Sequence, residues 1–432
     1  MVACAGTGGR WNVTTGESPG DGLRDGAAAT ARSGPMIPVM RPWLGEEEAA
    51  AAAAAVSSGW VAQGPRVAEF EAAFASAIGA GHAVAVSSCT AGLHLALVAA
   101  GIGPGDEVVV PSLSFIATAN AARYVGAVPV FADVDEATQN LTPATVEPGL
   151  TGRTRAVILV DQAGVPADLD DMRALCDPRG IMVIEDAACA VGSVYRGRPV
   201  GAGADLAAFS FHPRKLLTTG EGGMLVTPDA QVAARLRRLR EHGMDVSAAQ
   251  RHASRQPVIE RYTEVGFNFR MTDVQAAIGL VQLTRLGRLI TRRRELAQRY
   301  QRLLAGAGGL RTIDDPAFGT TNYQSFWVLL PGDFPVSRDA LLRRLADAGV
   351  SARRGIMATH LEPAYDDRPR ITLPVTERLT ARSLILPLFH DLTKDEQDLV
   401  VSVIRAAASS RNEILPSPSR AAAHPDSPVE VM

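Results

Sequence analysis

Arg155-Ala-Val-Ile-Leu-Val160, a helical stretch at Leu169–Cys176 and Ile181-Met-Val-Ile-Glu-Asp186 read as strand, helix and strand. Both apolar runs are continuous rather than alternating, as in parallel strands covered by helices on each face. The same unit recurs upstream. Ala83-Val-Ala-Val86 precedes a helical Thr90–Ala100, Glu107-Val-Val-Val-Pro111 precedes Ile116–Tyr124, and Pro129-Val-Phe-Ala-Asp133 follows. The pattern predicts an α/β chain with a large, mostly parallel sheet. Such sheets bind ligands at the carboxyl ends of their strands, where loops lead into helix N-termini.

Downstream, a long arginine-rich helical pattern runs from Asp273 to Leu304 and bridges to a smaller C-terminal α+β region. That region is read from Tyr323–Leu330, Val336–Ala348 and Glu396–Ala406. The expected organisation is a disordered leader at 1–35, a large ligand-binding domain at 36–290, a small domain at 291–408 and a disordered tail at 409–432. The leader holds eight glycines and almost no apolar pattern, and the tail is rich in Ser, Pro, Arg and Ala. No internal repeat is found.

Composition excludes several classes. Apolar residues make up 47% and charged residues 21% of the 432, which is ordinary for a globular protein. Lys+Arg 43 against Asp+Glu 46 leaves −3, so charge makes no case for nucleic acid. Four cysteines (Cys4, Cys89, Cys176, Cys189) include no C-x-x-C pair, so neither a disulfide framework nor a cysteine metal site is expected. No apolar run reaches the roughly 18 residues of a membrane span, and no export signal is read at the N-terminus. A soluble cytoplasmic protein is expected, with no metal, and the sequons at Asn12 and Asn140 read as chance.

One count singles out a residue. Of the 43 basic side chains only Lys215 and Lys394 are lysine. Lysine does what arginine does not where a deprotonatable primary amine is needed. Lys394, in Leu-Thr-Lys-Asp-Glu-Gln, reads as a solvated helix start. Lys215 lies in Ala208-Phe-Ser-Phe-His-Pro-Arg-Lys-Leu-Leu-Thr-Thr-Gly-Glu-Gly-Gly223, on a turn after a short strand. With neighbours read as largely uncharged, its amine is expected to lose a proton easily enough to attack a carbonyl. The competing reading is a surface lysine on a β-turn.

Two further motifs converge. Val183-Ile-Glu-Asp186 ends a buried strand with two carboxylates, of which alternation leaves one at the ligand edge. A buried carboxylate there needs a cationic partner; a helix cap or structural ion pair is the alternative. Val86-Ser-Ser-Cys-Thr90-Ala-Gly-Leu-His-Leu turns a strand into a helix through small hydroxyl residues, a place for a phosphate or simply a cap. An amine for a Schiff base, a carboxylate for a pyridinium and a helix N-terminus for a phosphate together match pyridoxal 5′-phosphate.

At this point the chain resembles the DegT/DnrJ/EryC1/StrS sugar aminotransferases, from about Pro38 to about Ala407. The resemblance rests on Ser58-Gly-Trp-Val-Ala-Gln-Gly-Pro, the Ser-Ser-Cys-Thr-Ala-Gly turn, Pro111-Ser-Leu-Ser-Phe-Ile-Ala-Thr-Ala-Asn, Gly126-Ala-Val-Pro-Val-Phe-Ala-Asp, Ile184-Glu-Asp-Ala-Ala, Phe209-Ser-Phe-His-Pro-Arg-Lys and Gly266-Phe-Asn-Phe-Arg-Met-Thr-Asp. It implies fold type I, the aspartate aminotransferase-like PLP-dependent transferase fold. Lys215 then carries the cofactor and shuttles the proton, and Asp186 pairs with the pyridine nitrogen. Ser210, Thr90 and Ala91 form the phosphate cup, and Phe115 stacks on the ring. Asn268 reaches the neighbouring subunit's phosphate in a homodimer.

The implied reaction moves an amino group from L-glutamate, through pyridoxamine 5′-phosphate, to a keto-sugar nucleotide. A cyclitol or other non-nucleotide ketone, and a non-catalytic cofactor-binding regulator, stay open as alternatives. Arg354 and His360 lie where relatives often contact substrate; a surface arginine and a packed loop histidine are the competing readings. The departures are Cys189, where relatives commonly have Gln or His, Asp161-Gln-Ala-Gly-Val-Pro in place of His-Leu-Tyr-Gly-Gln-Pro, and Cys89 for the first glycine of the phosphate turn.

Overall fold

Seven strands form the main sheet of the computed structural model, which describes residues 36–247, 251, 254–367 and 371–410. The leader and all but Ser409 and Ser410 of the tail lie outside the described residues. The first nine strands in chain order are β1 (His82–Val86), β2 (Glu107–Pro111), β3 (Val128–Ala132), β4 (Thr154–Val160), β5 (Met182–Asp186), β6 (Val194–Tyr195), β7 (Arg198–Pro199), β8 (Leu206–Ser210) and β9 (Gly223–Thr227). The main sheet runs β1-β9-β8-β5-β4-β2-β3. From β8 to β3 all neighbours are parallel, while β9 is antiparallel to both β1 and β8.

The continuous apolar runs have their expected cause. β2, β8 and β9 are buried along their whole length, because helices cover both faces. On one face lies helix Cys89–Ala99, buried on most of its circumference and capped by Ser88, whose Oγ accepts the Ala91 amide at 3.1 Å. On the other, Phe70 and Phe74 of helix Pro65–Ile78 meet Phe209 and Phe211, with the Phe74 and Phe209 centroids 5.1 Å apart. Aromatic edge contacts of this kind add to the area they bury.

Helix Asp273–Leu304 starts at a capping box made by Thr272 and Gln275. It packs on helices Glu46–Ser57 and Pro65–Ile78 and further along on Lys394–Ala408. The division expected at residue 290 thus falls inside one unbroken helix. The remaining strands are β10 (Arg311–Thr312), β11 (Gly319–Thr320), β12 (Phe326–Leu329), β13 (Arg353–Arg354) and β14 (Ser383–Leu386). β11 joins β6 and β7; the others make an antiparallel sheet, β10-β12-β14-β13. Within the stretch Tyr323–Leu330 the strand is Phe326–Leu329, and Tyr323 ahead of it adopts φ +52°. The N-terminal segment, expected with the large sheet, also contacts the C-terminal region: Ile37 bridges Val350, and the Leu388 amide donates to the Val39 carbonyl at 3.1 Å.

Among the described residues no helix is long and apolar enough to cross a membrane, and no cluster of three metal-ligating side chains occurs.

Candidate active site

The site gathers at the carboxyl ends of β5 and β8, where the sheet meets the N-terminus of helix Cys89–Ala99. Alternation along β5 turns Glu185 and Asp186 to opposite faces. Asp186 Oδ2 accepts from Thr118 Oγ1 at 3.0 Å and Oδ1 from the Ala188 amide at 3.2 Å. Cys89 Sγ stands 4.0 Å from the same Oδ1. No ion pair engages this buried carboxylate among the described residues, and burial pushes its pKa up although the hydrogen bonds and Lys215 oppose it. A group carrying a protonated ring nitrogen satisfies what Asp186 lacks.

Lys215 follows β8 on a tight turn in which its own amide donates to the His212 carbonyl at 2.8 Å. Its Nζ donates to Cys189 Sγ at 3.0 Å. The expectation of largely uncharged neighbours is corrected here. Burial pulls the Lys215 pKa down, but Cys189, Cys89 and Asp186 outweigh it, so the amine is held above its ordinary range. The sequence conceals this because those groups come from two other segments, Cys89 from the helix start and Asp186 and Cys189 from the end of β5. The surface-lysine reading is also set aside: Lys215 is half-buried, whereas Lys394 is exposed beside the Thr393 cap.

The phosphate-like end is built by close backbone approach. Ser210 ends β8 opposite Gly223, which starts β9. A Cβ at Gly223 would lie 2.6 Å from the Cys89 nitrogen, so only glycine lets the two turns meet. Ser210 is buried, and Thr90 and Ala91 occupy the first helical turn, where amides outside the helical ladder favour an anion. The Ser87 amide donates to the Phe269 carbonyl at 2.8 Å, which sets the Asn268 segment against the same turn. Asn268 itself is exposed, with Oδ1 accepting from Arg270 Nε at 3.0 Å. Phe115 is exposed at the start of the turn whose Thr118 reaches Asp186.

Arg354 and His360 are placed apart from this cluster. Arg354 is exposed on β13, with Nη2 3.5 Å from Glu362. The His360 side chain is only 4% exposed, its Nδ1 2.6 Å from Ser112 Oγ and its Nε2 3.4 Å from Glu377. That is the environment of a packed loop histidine.

Three features escaped the sequence reading. Thr118 is signalled only by its i,i+4 spacing from Ser114, whose Oγ lies 2.8 Å from Thr118 Oγ1. Cys89, read only as a replacement for the first glycine of the phosphate turn, faces Asp186. Behind the site, Asp161 and Glu185 are both buried and each has one oxygen without a hydrogen-bond partner. Burial pushes Glu185 up to about 7 and raises Asp161 well above its usual range, Glu185 adding to the latter.

The residues present fit pyridoxal phosphate: an amine, an uncompensated buried carboxylate and an anion-binding turn lie around one edge of the sheet. Comparison with known proteins bears on the same point. An aminotransferase, TlmJ, from Streptoalloteichus hindustanus is 41% identical, with a TM-score of 0.79 over 86% of this chain and 98% of that one. DesI, solved in the presence of its TDP-sugar product, is 35% identical, with a TM-score of 0.79 over 88% and 94%. The putative sugar aminotransferase Spr1654 of Streptococcus pneumoniae, solved in its PLP-form, is 26% identical, with a TM-score of 0.80 over 86% and 98%. Residues 42–405 match the DegT/DnrJ/EryC1/StrS aminotransferase family, and with most of the chain covered, the protein belongs to that family.

Proposed function

We propose that the protein transfers an amino group from L-glutamate to the keto group of a nucleotide-linked deoxy-sugar, using pyridoxal 5′-phosphate, and works as a homodimer. The observation that carries this reading is the half-buried Lys215 amine set close to a buried Asp186 that has no ion-pair partner among the described residues. When bound, the cofactor supplies an electron sink for the carbon that gains or loses the amine.

This chain's own groups do the rest. Asp186 keeps a proton on the ring nitrogen, held in place by Thr118 and the Ala188 amide. Lys215 Nζ binds the cofactor covalently between turnovers and, once released, moves a proton to or from the reacting carbon as general base and acid. Ser210 and the first turn at Thr90 and Ala91 anchor the phosphate. Phe115 covers the ring, and Asn268 serves the neighbouring subunit's site.

Incubation of cofactor-loaded protein with L-glutamate is expected to release 2-oxoglutarate in proportion to sites. Addition of a keto-sugar nucleotide then yields an amino-sugar nucleotide by mass spectrometry. Release of 2-oxoglutarate with amination only of a free cyclitol ketone would replace the acceptor; no release at all would leave a cofactor-binding regulator.

A further inference from the structure

The two ends of the Lys215–Cys189 contact are held by one short segment more than a hundred residues further along the chain. Gln324 Nε2 donates to the Arg214 carbonyl at 2.6 Å, and its Oε1 accepts the Leu216 amide at 3.0 Å. Those two peptide groups flank Lys215. Two residues earlier, Asn322 Nδ2 donates to the carbonyls of Cys189 and Val191, both at 2.9 Å. Asn322 Oδ1 accepts the Gln324 backbone amide at 2.7 Å, which ties the Asn322 side chain to the main chain that carries Gln324.

The segment is built for this at some cost. Tyr323, between the two, holds φ +52°, a conformation unfavourable for a bulky residue. Buried Arg293 keeps it there, donating to the Tyr323 and Gln324 carbonyls, each at 2.7 Å, and to the Leu388 carbonyl at 2.9 Å. Gly164 leaves room for Asn322: a Cβ there would stand 2.0 Å from Oδ1.

We propose that Gln324 is a positioning residue that holds the turn carrying Lys215 and aims its amine at Cys189 and the ring-binding edge. Only a neutral amide of this length offers one donor and one acceptor to the two peptide groups. Glutamate keeps the acceptor but turns a carboxylate oxygen toward the Arg214 carbonyl. The inference rests on the function proposed above only for its consequence in cofactor binding.

The chain's two lysines supply the test, because Lys394 is an internal reference. The full-length protein without added cofactor is briefly acetylated with acetic anhydride, and peptide mass mapping gives the Lys215 to Lys394 ratio. In Gln324→Met the freed turn leaves the amine more accessible, and the ratio rises by about fivefold or more, the scale of one lost buried hydrogen bond. In Gln324→Glu one bond survives but a carboxylate oxygen faces the Arg214 carbonyl, and the ratio likewise rises by about fivefold or more. In parallel, the pyridoxal phosphate concentration needed for half-maximal borohydride fixation on Lys215 rises in both variants. If Gln324→Met does not fold, the Gln324→Glu ratio decides alone. A ratio within about twofold of wild type in folded variants, less than a single hydrogen bond's worth, overturns the proposal. Wild-type protein that fixes no cofactor would refute the proposed function instead, while the acetylation ratio still decides the role of Gln324.

Discussion

Lys215 Nζ donates to Cys189 Sγ at 3.0 Å, so one of the chain's two lysines faces a thiol. Burial lowers the lysine's pKa, and Cys189 is foremost among the groups that raise it. In Cys189→Ala the pH at which Lys215 becomes reactive toward acetic anhydride is therefore expected to fall, with Lys394 unmoved. The sign for stability follows. A raised lysine stabilises the fold below the amine's unfolded pKa and loses that contribution as pH climbs through the folded value. The melting-temperature gap between wild type and Cys189→Ala is thus widest near neutrality and closes in strong alkali.

Asp186→Asn separates catalysis from folding. The substitution removes a buried carboxylate that has no ion-pair partner, so the cofactor-free protein melts within a few degrees of wild type. Transamination, which needs the ring nitrogen protonated, falls by about a hundredfold or more. Thermal melts and single-turnover assays on one preparation measure both.

Glu185 gives a pH signature of its own. Its folded pKa stands near 7 against an ordinary 4.5, because burial disfavours the charged form. The folded state therefore holds a proton that the unfolded chain releases. Stability from this source is complete below about 4.5 and is lost as pH rises through about 7. Glu185→Gln stays neutral throughout, so its melting temperature relative to wild type is a few degrees more favourable at pH 8 than at pH 5.

The proposed sharing of sites across a dimer makes a mixing prediction. Lys215→Ala and Asn268→Ala are each expected to be nearly inactive. If Asn268 serves the neighbouring subunit, a mixed dimer has one site with both lesions and one with neither. Random reassortment of equal amounts then restores about a quarter of wild-type activity. Mixing without recovery would place Asn268 in its own subunit's site.

Much of this was legible because it is local. Strand β5, the helix Leu169–Cys176 and the helix Asp273–Leu304 follow from apolar runs and caps in their own residues. Asp186 and Lys215 stand out through strand register and lysine scarcity. What escaped is what the sheet brings together from afar: Thr118 on Asp186, Cys89 opposite it, and Gln324 on the Lys215 turn. The raised pKa of Lys215 belongs to the same class, since no neighbour in sequence causes it. His360 is a further case: no residue near it in sequence announces its partners, Ser112 and Glu377, which the fold brings to it.

Borohydride reduction of the cofactor-loaded protein, followed by peptide mass mapping, tests the central claim most directly. A pyridoxyl group on the peptide containing Lys215, and none on that containing Lys394, is the expected result; an unmodified Lys215 would contradict the account.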